Sequence, residues 1–270
     1  MDRRTTASNG RVAALDLQGL VKADRFVEGE VLNVTRPLVD LCAAPDGARD
    51  RQLLLGASVR VFENHAGWSF VRAERDGYVG YVESGALART AAPTHFVQSL
   101  ATHAYPEPDF KTREVAFLTF GARVTVLFEH RKFWQTTIGF IPKSHLRPLD
   151  MPLGDPATVA SLHFGVPYLW GGNSTLGIDC SGLVQASLLA CGIDCPADSD
   201  MQLRLGTDAN GLAKRGDLVF WKGHVAMMVD DETLIHANAH HMAVKYEPFQ
   251  NARLRISAQG DGEVLAIRRL

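Results

Sequence analysis

An α+β fold is what this sequence predicts: two small β-barrels in tandem, then a domain in which a helix lies on an antiparallel sheet. Three observations carry it. A ladder of short β-rich runs occurs twice before residue 150. A proline- and turn-rich stretch, RPLDMPLGDPAT at residues 147–158, ends that pattern. Beyond it comes one helix-forming run headed by Asp179-Cys180-Ser181-Gly182, followed by short apolar runs of strand character.

Taken in order, residues 1–34 have some helical spacing in ALDLQGLVKADRFVEG and read as a partly helical N-terminal segment. Residues 35–90 form the first barrel. Its strands carry Val59, Val61 and Phe62, then Trp68, Phe70 and Val71, then Tyr78, Val79, Tyr81 and Val82, with turn signals between them at 64–67 and at Asp76-Gly77. Residues 91–150 repeat the order of parts. Leu55-Gly56 is matched by Phe120-Gly121, Val59-Arg60-Val61 by Val124-Thr125-Val126, and Trp68 by Trp134. This reads as the internal duplication of a unit of about 60 residues. In residues 151–270, a helix is expected at 158–164, a glycine-bearing loop at 167–178, and a helix at 180–191 with Leu183, Val184, Leu188 and Cys191 on one side. Gly192 is a natural stop for that helix. Strands are expected at 217–220, 225–229, 234–237 and 264–267.

Bulk properties exclude several function classes. Of the 270 residues, 46% are hydrophobic and 21% charged, and the net charge is -2. No long basic run is present, which argues against nucleic acid or an anionic membrane as the main partner. The N-terminal MDRRTTASNG has no apolar stretch behind it, so a cytoplasmic location is expected. The four cysteines, Cys42, Cys180, Cys191 and Cys195, are irregularly spaced and read as reduced thiols. Cys191 and Cys195 lack a second Cys/His pair at zinc-site spacing, so no metal and no cofactor is expected. A monomer is favoured.

The chemistry concentrates in the last third. A thiol is a nucleophile only as thiolate, and a helix N-terminus and a nearby imidazole are two devices that stabilise it. Asp179 is a favourable cap that would put Cys180 at the positive end of a helix. The alternative for Cys180 is a buried structural cysteine. His224 and His236 weigh against that alternative. They flank Asp230-Asp231-Glu232, and a hairpin centred near Asp230 sets them opposite each other on one sheet face. One imidazole can serve as base to the thiol while the other holds its tautomer. His240 and His241 read as surface residues.

Several segments together resemble the NlpC/P60 family of cell-wall peptidases. They are Tyr168-Leu169-Trp170-Gly171-Gly172, Asp179-Cys180-Ser181-Gly182, Gly216-Asp217-Leu218-Val219-Phe220-Trp221, His224-Val225 and Ile235-His236-Ala237. Both N-terminal barrels resemble bacterial SH3-like domains, and the whole resembles the γ-D-glutamyl-L-diamino-acid endopeptidases that recycle murein peptides. The resemblance implies a papain-like catalytic domain with Cys180 as nucleophile, His224 as general base and His236 as orienting residue. Tyr168 is implied as an oxyanion donor, with a packed loop aromatic as the other reading. The implied substrate is a murein stem peptide with a free N-terminal L-alanine, cut between γ-D-glutamate and diaminopimelate or lysine. Asp198 and Ser199 match the loop that relatives use for the peptide's N-terminal end, although Ala197 stands where an arginine is usual. Those two residues could equally cap a helix. Asp179 and Ser181 are further candidates for substrate contact. In the first barrel, Tyr78 is expected to reach the peptide amine, with Tyr81 in the core and an acidic partner among Asp46, Asp50 and Glu63. The barrel is expected to wall off the cleft. Competing readings are an exported hydrolase of intact murein, a related acyltransferase or amidase, and a non-catalytic murein-binding protein.

Overall fold

The chain divides into two units, Met1–Leu149 and Asp150–Leu270, in a computed structural model that describes residues 1–209, 211–260 and 262–270. The α+β class holds: the described residues form four short α-helices and mostly antiparallel sheets. Among the described residues, no helix is long and apolar enough to cross a membrane.

In the first unit, a seven-stranded antiparallel sheet makes the first barrel. Its order is Arg49–Leu54, Leu38–Cys42, Val79–Glu83, Trp68–Ala73, Ser58–His65, Glu30–Val34 and Leu87–Ala88. The second set of strands runs from His95–Val97 to Leu146–Pro148. The repeat read in the sequence has a counterpart in the order of elements. In each copy a glycine of positive φ follows two residues after a strand (Gly56 at 74° after Arg49–Leu54, Gly121 at 81° after Ala116–Thr119), and its N–H returns to a carbonyl of the copy's first strand (Val34, Val97). Each copy closes with a glycine-bearing strand, a single 3-10 turn (Ser84–Ala86, Lys143–His145) and a short last strand. The copies are not separate cores. Leu54 and Leu55 of the first lie in one buried cluster with Val97, Leu118, Val124, Ile141 and Leu146 of the second. Each such side chain stabilises the unit by about 1.5–3 kcal/mol through burial.

Two features of the N-terminal reading are corrected. Strand Glu30–Val34 belongs to the first barrel's sheet, pairing with Ser58–His65, so that barrel does not begin at 35. Residues 1–34 are not partly α-helical. They hold one 3-10 turn, Leu15–Leu17, and strands Val12–Ala14 and Arg25–Val27 paired in parallel. Burial explains the difference. In the stretch that suggested a helix, Leu15 and Leu20 are exposed, whereas the consecutive Val12, Ala13 and Ala14 that lead into it are all buried. Val12 and Ala14 join Phe62, Phe70 and Val79 in the barrel's core.

In the second unit, helix α1 (Pro156–Leu162) starts two residues earlier than expected. Asp155 caps it by accepting from the Ala157 N–H at 3.2 Å, and Pro156 occupies the position where a missing N–H costs nothing. Helix α2 (Cys180–Ala190) buries Leu183, Val184 and Leu188. Cys191 is not on that buried face; it caps the helix and is half-buried, with Gly192 following at φ 74°. Helices α3 (Ser199–Gln202) and α4 (Phe249–Gln259) follow. The main sheet has six antiparallel strands: β1 (Thr207–Asp208), β2 (Leu218–Trp221), β3 (His224–Met228), β4 (Thr233–Asn238), β5 (Ala243–Pro248) and β6 (Ala266–Arg269). Its order is β1-β6-β2-β3-β4-β5, and α2 packs on β3 and β4.

His163, just past α1, is buried, and its Nδ1–H donates to the Val159 carbonyl at 3.1 Å. Burial pushes its pKa down to about 4. The folded chain therefore refuses a proton that the unfolded chain accepts below about pH 6.5. This contribution is harmless at pH 7 and destabilises as pH falls toward 4. Between pH 7 and pH 5 it costs about 2 kcal/mol. Urea denaturation at the two pH values should show His163→Gln losing less stability on acidification than wild type by about that amount.

Candidate active site

The site begins with a carboxylate that ties a loop to a helix. One oxygen of Asp179 accepts the Gly171 N–H at 2.9 Å; the other accepts the Gly182 N–H at 2.7 Å and the Ser181 hydroxyl at 3.2 Å. Gly182 must be glycine, because a Cβ there would come within 2.6 Å of the Gly172 carbonyl oxygen. The side chains of Asp179 and Ser181, expected to contact substrate, thus serve the helix start. Gln202 adds a second tie, its Nε2 donating to the carbonyls of Ser181 and Pro196 at 3.0 Å. Nothing in the sequence reading pointed to it.

This scaffold fixes Cys180 as the first residue of α2, buried, on the wall of a cavity of about 400 Å³ shared with Tyr168 and His224. Burial pushes the thiol up to about 12, and the charge of Asp179 adds to the rise; the N–H groups of Val225, Ser181 and Cys180 oppose it. The sequence predicted the opposite bias. The balance is one of size: a helix end contributes about 0.3–1 kcal/mol, whereas three pKa units correspond to about 4 kcal/mol. Burial, then the neighbouring His236, pushes His224 down to about 3. Each charge is unfavourable alone in this setting.

Behind His224 runs a chain of hydrogen bonds. His224 Nε2 lies 2.9 Å from His236 Nδ1, and His236 Nε2 lies 3.1 Å from Glu247 Oε2. Arg255 closes the chain as a fork, its Nε 2.9 Å from Oε1 and its Nη2 2.7 Å from Oε2 of Glu247. Burial would raise the Glu247 pKa, but the hydrogen bonds from His236 and Arg255 outweigh it and hold the carboxyl well below the usual range. A carboxylate cannot donate, so His236 Nε2 carries the hydrogen. Burial keeps His236 neutral, so its Nδ1 is bare and accepts. His224 Nε2 must then be the donor, which leaves His224 Nδ1 as the basic nitrogen.

The register differs from the expectation. Met227 pairs with Ile235 and Met228 with Leu234, so His236 is level with Ala226 rather than His224. The turn is centred on Asp231, because Asp230 Oδ1 accepts the N–H groups of Glu232 and Thr233 at 2.9 and 2.6 Å. A shift of two residues keeps both histidines on one face, as diagonal neighbours. Glu247 is the next diagonal step: it pairs with Leu234, two residues from His236 along β4.

Glu247 and Arg255 were missed because β5 and α4 were not foreseen. Their available signal was parity: once β4 and β5 form a hairpin, Glu247 shares the face of His236. His236, His241 and Glu247 place ligand atoms within 4.8 Å of one another. Both Glu247 oxygens are already taken by His236 and a guanidinium, so these donors fit a relay rather than a cation.

Tyr168 is held by its N–H to the Met242 carbonyl at 3.0 Å, and its ring lines the cavity. Burial, then the charges of Cys180 and Asp179, pushes its phenol up, so the hydroxyl remains a donor. Asp198 sits at the N-cap of α3, its carbonyl accepting from Met201 and Gln202 at 2.9 Å. Neither Asp198 nor Ser199 is among the residues lining the Cys180 cavity. In the first unit, Tyr78 is buried with the Arg51 guanidinium 5.3 Å from its ring centre, and Tyr81 is half-buried with its ring 5.1 Å from that of Phe70. Asp50 pairs with Arg3 at 2.7 Å, and Glu63 with Arg11 at 2.7 Å and Arg25 at 3.1 Å. Asp46 lies in a turn at φ 52°.

The NlpC/P60 family model matches residues 165–256, the stretch that holds Tyr168, Cys180, His224, His236, Glu247 and Arg255. A model described as a bacterial dipeptidyl-peptidase Sh3 domain matches residues 41–87. The chain is 27% identical over 235 residues to a γ-D-glutamyl-L-lysine dipeptidyl-peptidase of Bacillus cereus, covering 74% of this chain and 70% of that protein. It is 28% identical over 219 residues to the Bacillus subtilis protein of the same description, covering 71% and 73%. A crystal structure of an NlpC/P60 family protein from Bacillus cereus matches with a TM-score of 0.76 at 21% identity, over 89% of this chain and 99% of that one. That last likeness is one of fold.

Proposed function

We propose that this chain, an NlpC/P60 cysteine peptidase with a bacterial dipeptidyl-peptidase SH3 domain, hydrolyses the γ-D-glutamyl–diamino acid bond of murein stem peptides that begin with a free L-alanine. Recycling of such peptides inside the cell is the setting that suits this activity. The observation that carries the chemistry is the continuous relay from His224 through His236 to Glu247, which leaves a basic nitrogen in the cavity of a helix-starting cysteine. The substrate class rests on the two similar dipeptidyl-peptidases.

In the mechanism, Cys180 Sγ attacks the γ-carbonyl while its proton passes to His224 Nδ1. A phenol at Tyr168 and the N–H groups at the start of α2 stabilise the oxyanion. Collapse expels the diamino acid amine, which takes the proton back from His224. Water, deprotonated by the same nitrogen, then releases L-Ala-D-Glu and restores the thiol. Asp198 and Ser199 are assigned to the ammonium end of the peptide. Mass spectrometry of L-Ala-γ-D-Glu-diaminopimelate after incubation tests the reaction class. Wild type should release L-Ala-D-Glu and Cys180→Ala should not; an intact tripeptide, or cleavage at another bond, overturns the proposal.

A further inference from the structure

The cavity that holds Cys180 is bordered on its other side by two loops, at Lys222-Gly223 and at Asn238-Ala239-His240. These are the loops that enter β3, which begins at His224, and leave β4, which carries His236. Its polar groups are of one kind. None of the lining residues is acidic. Lys222 makes no ion pair among the described residues and is exposed. Arg255 is already neutralised by its fork on Glu247, which leaves Lys222 as the free lysine or arginine of the wall among the described residues.

Two further lining residues, Asn238 and His240, carry neutral donors. Asn238 is buried; its Oδ1 accepts the N–H and the ring Nδ1–H of His241 at 2.8 and 3.0 Å, which fixes the amide's orientation. The Nδ2 of that amide is buried and has no hydrogen-bond partner among the described residues. An orphaned buried donor is unfavourable, and an acceptor brought to it by a ligand would satisfy it. His240 is oriented by Gln259, whose Oε1 accepts from Arg255 at 3.0 Å and whose Nε2 therefore donates to His240 Nδ1 at 3.4 Å. His240 Nε2 then carries a hydrogen and is a third donor. A lysine ammonium, an unpaired amide N–H and an imidazole N–H, with no acidic lining residue, match a carboxylate.

We infer that this cavity is a carboxylate-binding subsite for the amino acid released by cleavage. The inference rests on the hydrolytic reading above, because the half of the substrate that departs takes its proton from His224 and so occupies the imidazole side. The carboxylate has two possible sources: the α-carboxylate of the released residue, or a second carboxylate at the end of a diaminopimelate-type side chain. A lysine-type side chain ends in an ammonium, which Lys222 repels.

Four substrates separate these sources: L-Ala-γ-D-Glu followed by diaminopimelate or by lysine, each with the α-carboxyl free or amidated. If the α-carboxylate is bound, amidation raises KM about ten-fold in both series with kcat little changed. If the distal carboxylate is bound, diaminopimelate is favoured over lysine by a similar factor whatever the state of the α-carboxyl. Lys222→Glu, at an exposed position, should reduce whichever selectivity is seen by about ten-fold, and Asn238→Asp should reduce it in the same direction. Equal KM for all four substrates, with ratios unmoved by Lys222→Glu, overturns the subsite. Failure of wild type to cleave any of the four instead overturns the hydrolytic reading beneath it.

Discussion

Cys180→Ala should lower turnover of the tripeptide by at least about four orders of magnitude, and His224→Ala should cost nearly as much. The double variant should be no worse than the more damaged single one, because nucleophile and base act as a unit. A thiol held up near 12 by burial and an imidazole held down near 3 cannot ionise separately at neutral pH. Once the base is gone, the sulfur stays protonated; once the sulfur is gone, the base has nothing to activate. Stability should change far less than activity. Cys180→Ala removes one small buried atom and the weak acceptor it offers to nearby N–H groups, so it should lower stability in urea denaturation by only about 1 kcal/mol. Steady-state kinetics and denaturation on the same preparations check both halves. If His224→Ala and Cys180→Ala multiplied instead of saturating, the two residues would be acting independently and the pair mechanism would fall.

What the sequence made legible follows from how local each signal is. Asp179 and Cys180 could be read because a cap and a helix start are adjacent in sequence, whereas the close backbone approach at Gly182 depends on Gly172, ten residues back. The two barrels could be read because turn glycines and alternating apolar residues recur in order. The hairpin register could be placed only to within two residues. Its turn is set by one side chain, Asp230, bonding two N–H groups, and a shift of two residues leaves the buried face unchanged, so the apolar pattern does not report it. Residues 1–34 misled because their leucine spacing was helical while burial selected strands. Glu247 lay beyond reach for another reason. A glutamate in YEPFQN looks like any solvated charge until the fold sets it one diagonal step from His236 and brings Arg255 back from the following helix.

Glu247→Gln should lower kcat about 10-fold to 100-fold with little change in KM. The substitution keeps shape, and a Gln Oε1 can still accept from His236 Nε2–H, so the tautomers survive. What disappears is the negative charge that favours protonation of the two rings in line. The acid limb of the rate profile should therefore move to lower pH while the maximum falls, a shift that a purely structural defect would not produce. Stability should respond with a defined sign. The carboxyl of Glu247 is held below its ordinary pKa of about 4.5. It therefore contributes stability at higher pH that is lost as pH falls below that value, and the Gln variant should lack this acid-side loss. Glu247→Leu is the harsher test. It leaves the Arg255 guanidinium and the His236 N–H without their acceptor, and should cost about 3 kcal/mol, near the lower end for breaking a buried ion pair since Arg255 retains some solvent contact. Pairing Glu247→Gln with Arg255→Gln should recover part of the stability lost in the single variant, because the unpaired cation is removed with its partner. Activity should not recover with it, since the charge that polarises the relay is still absent. A kcat restored by the double change would mean that Glu247 serves only to neutralise Arg255, and the relay would then end at His236.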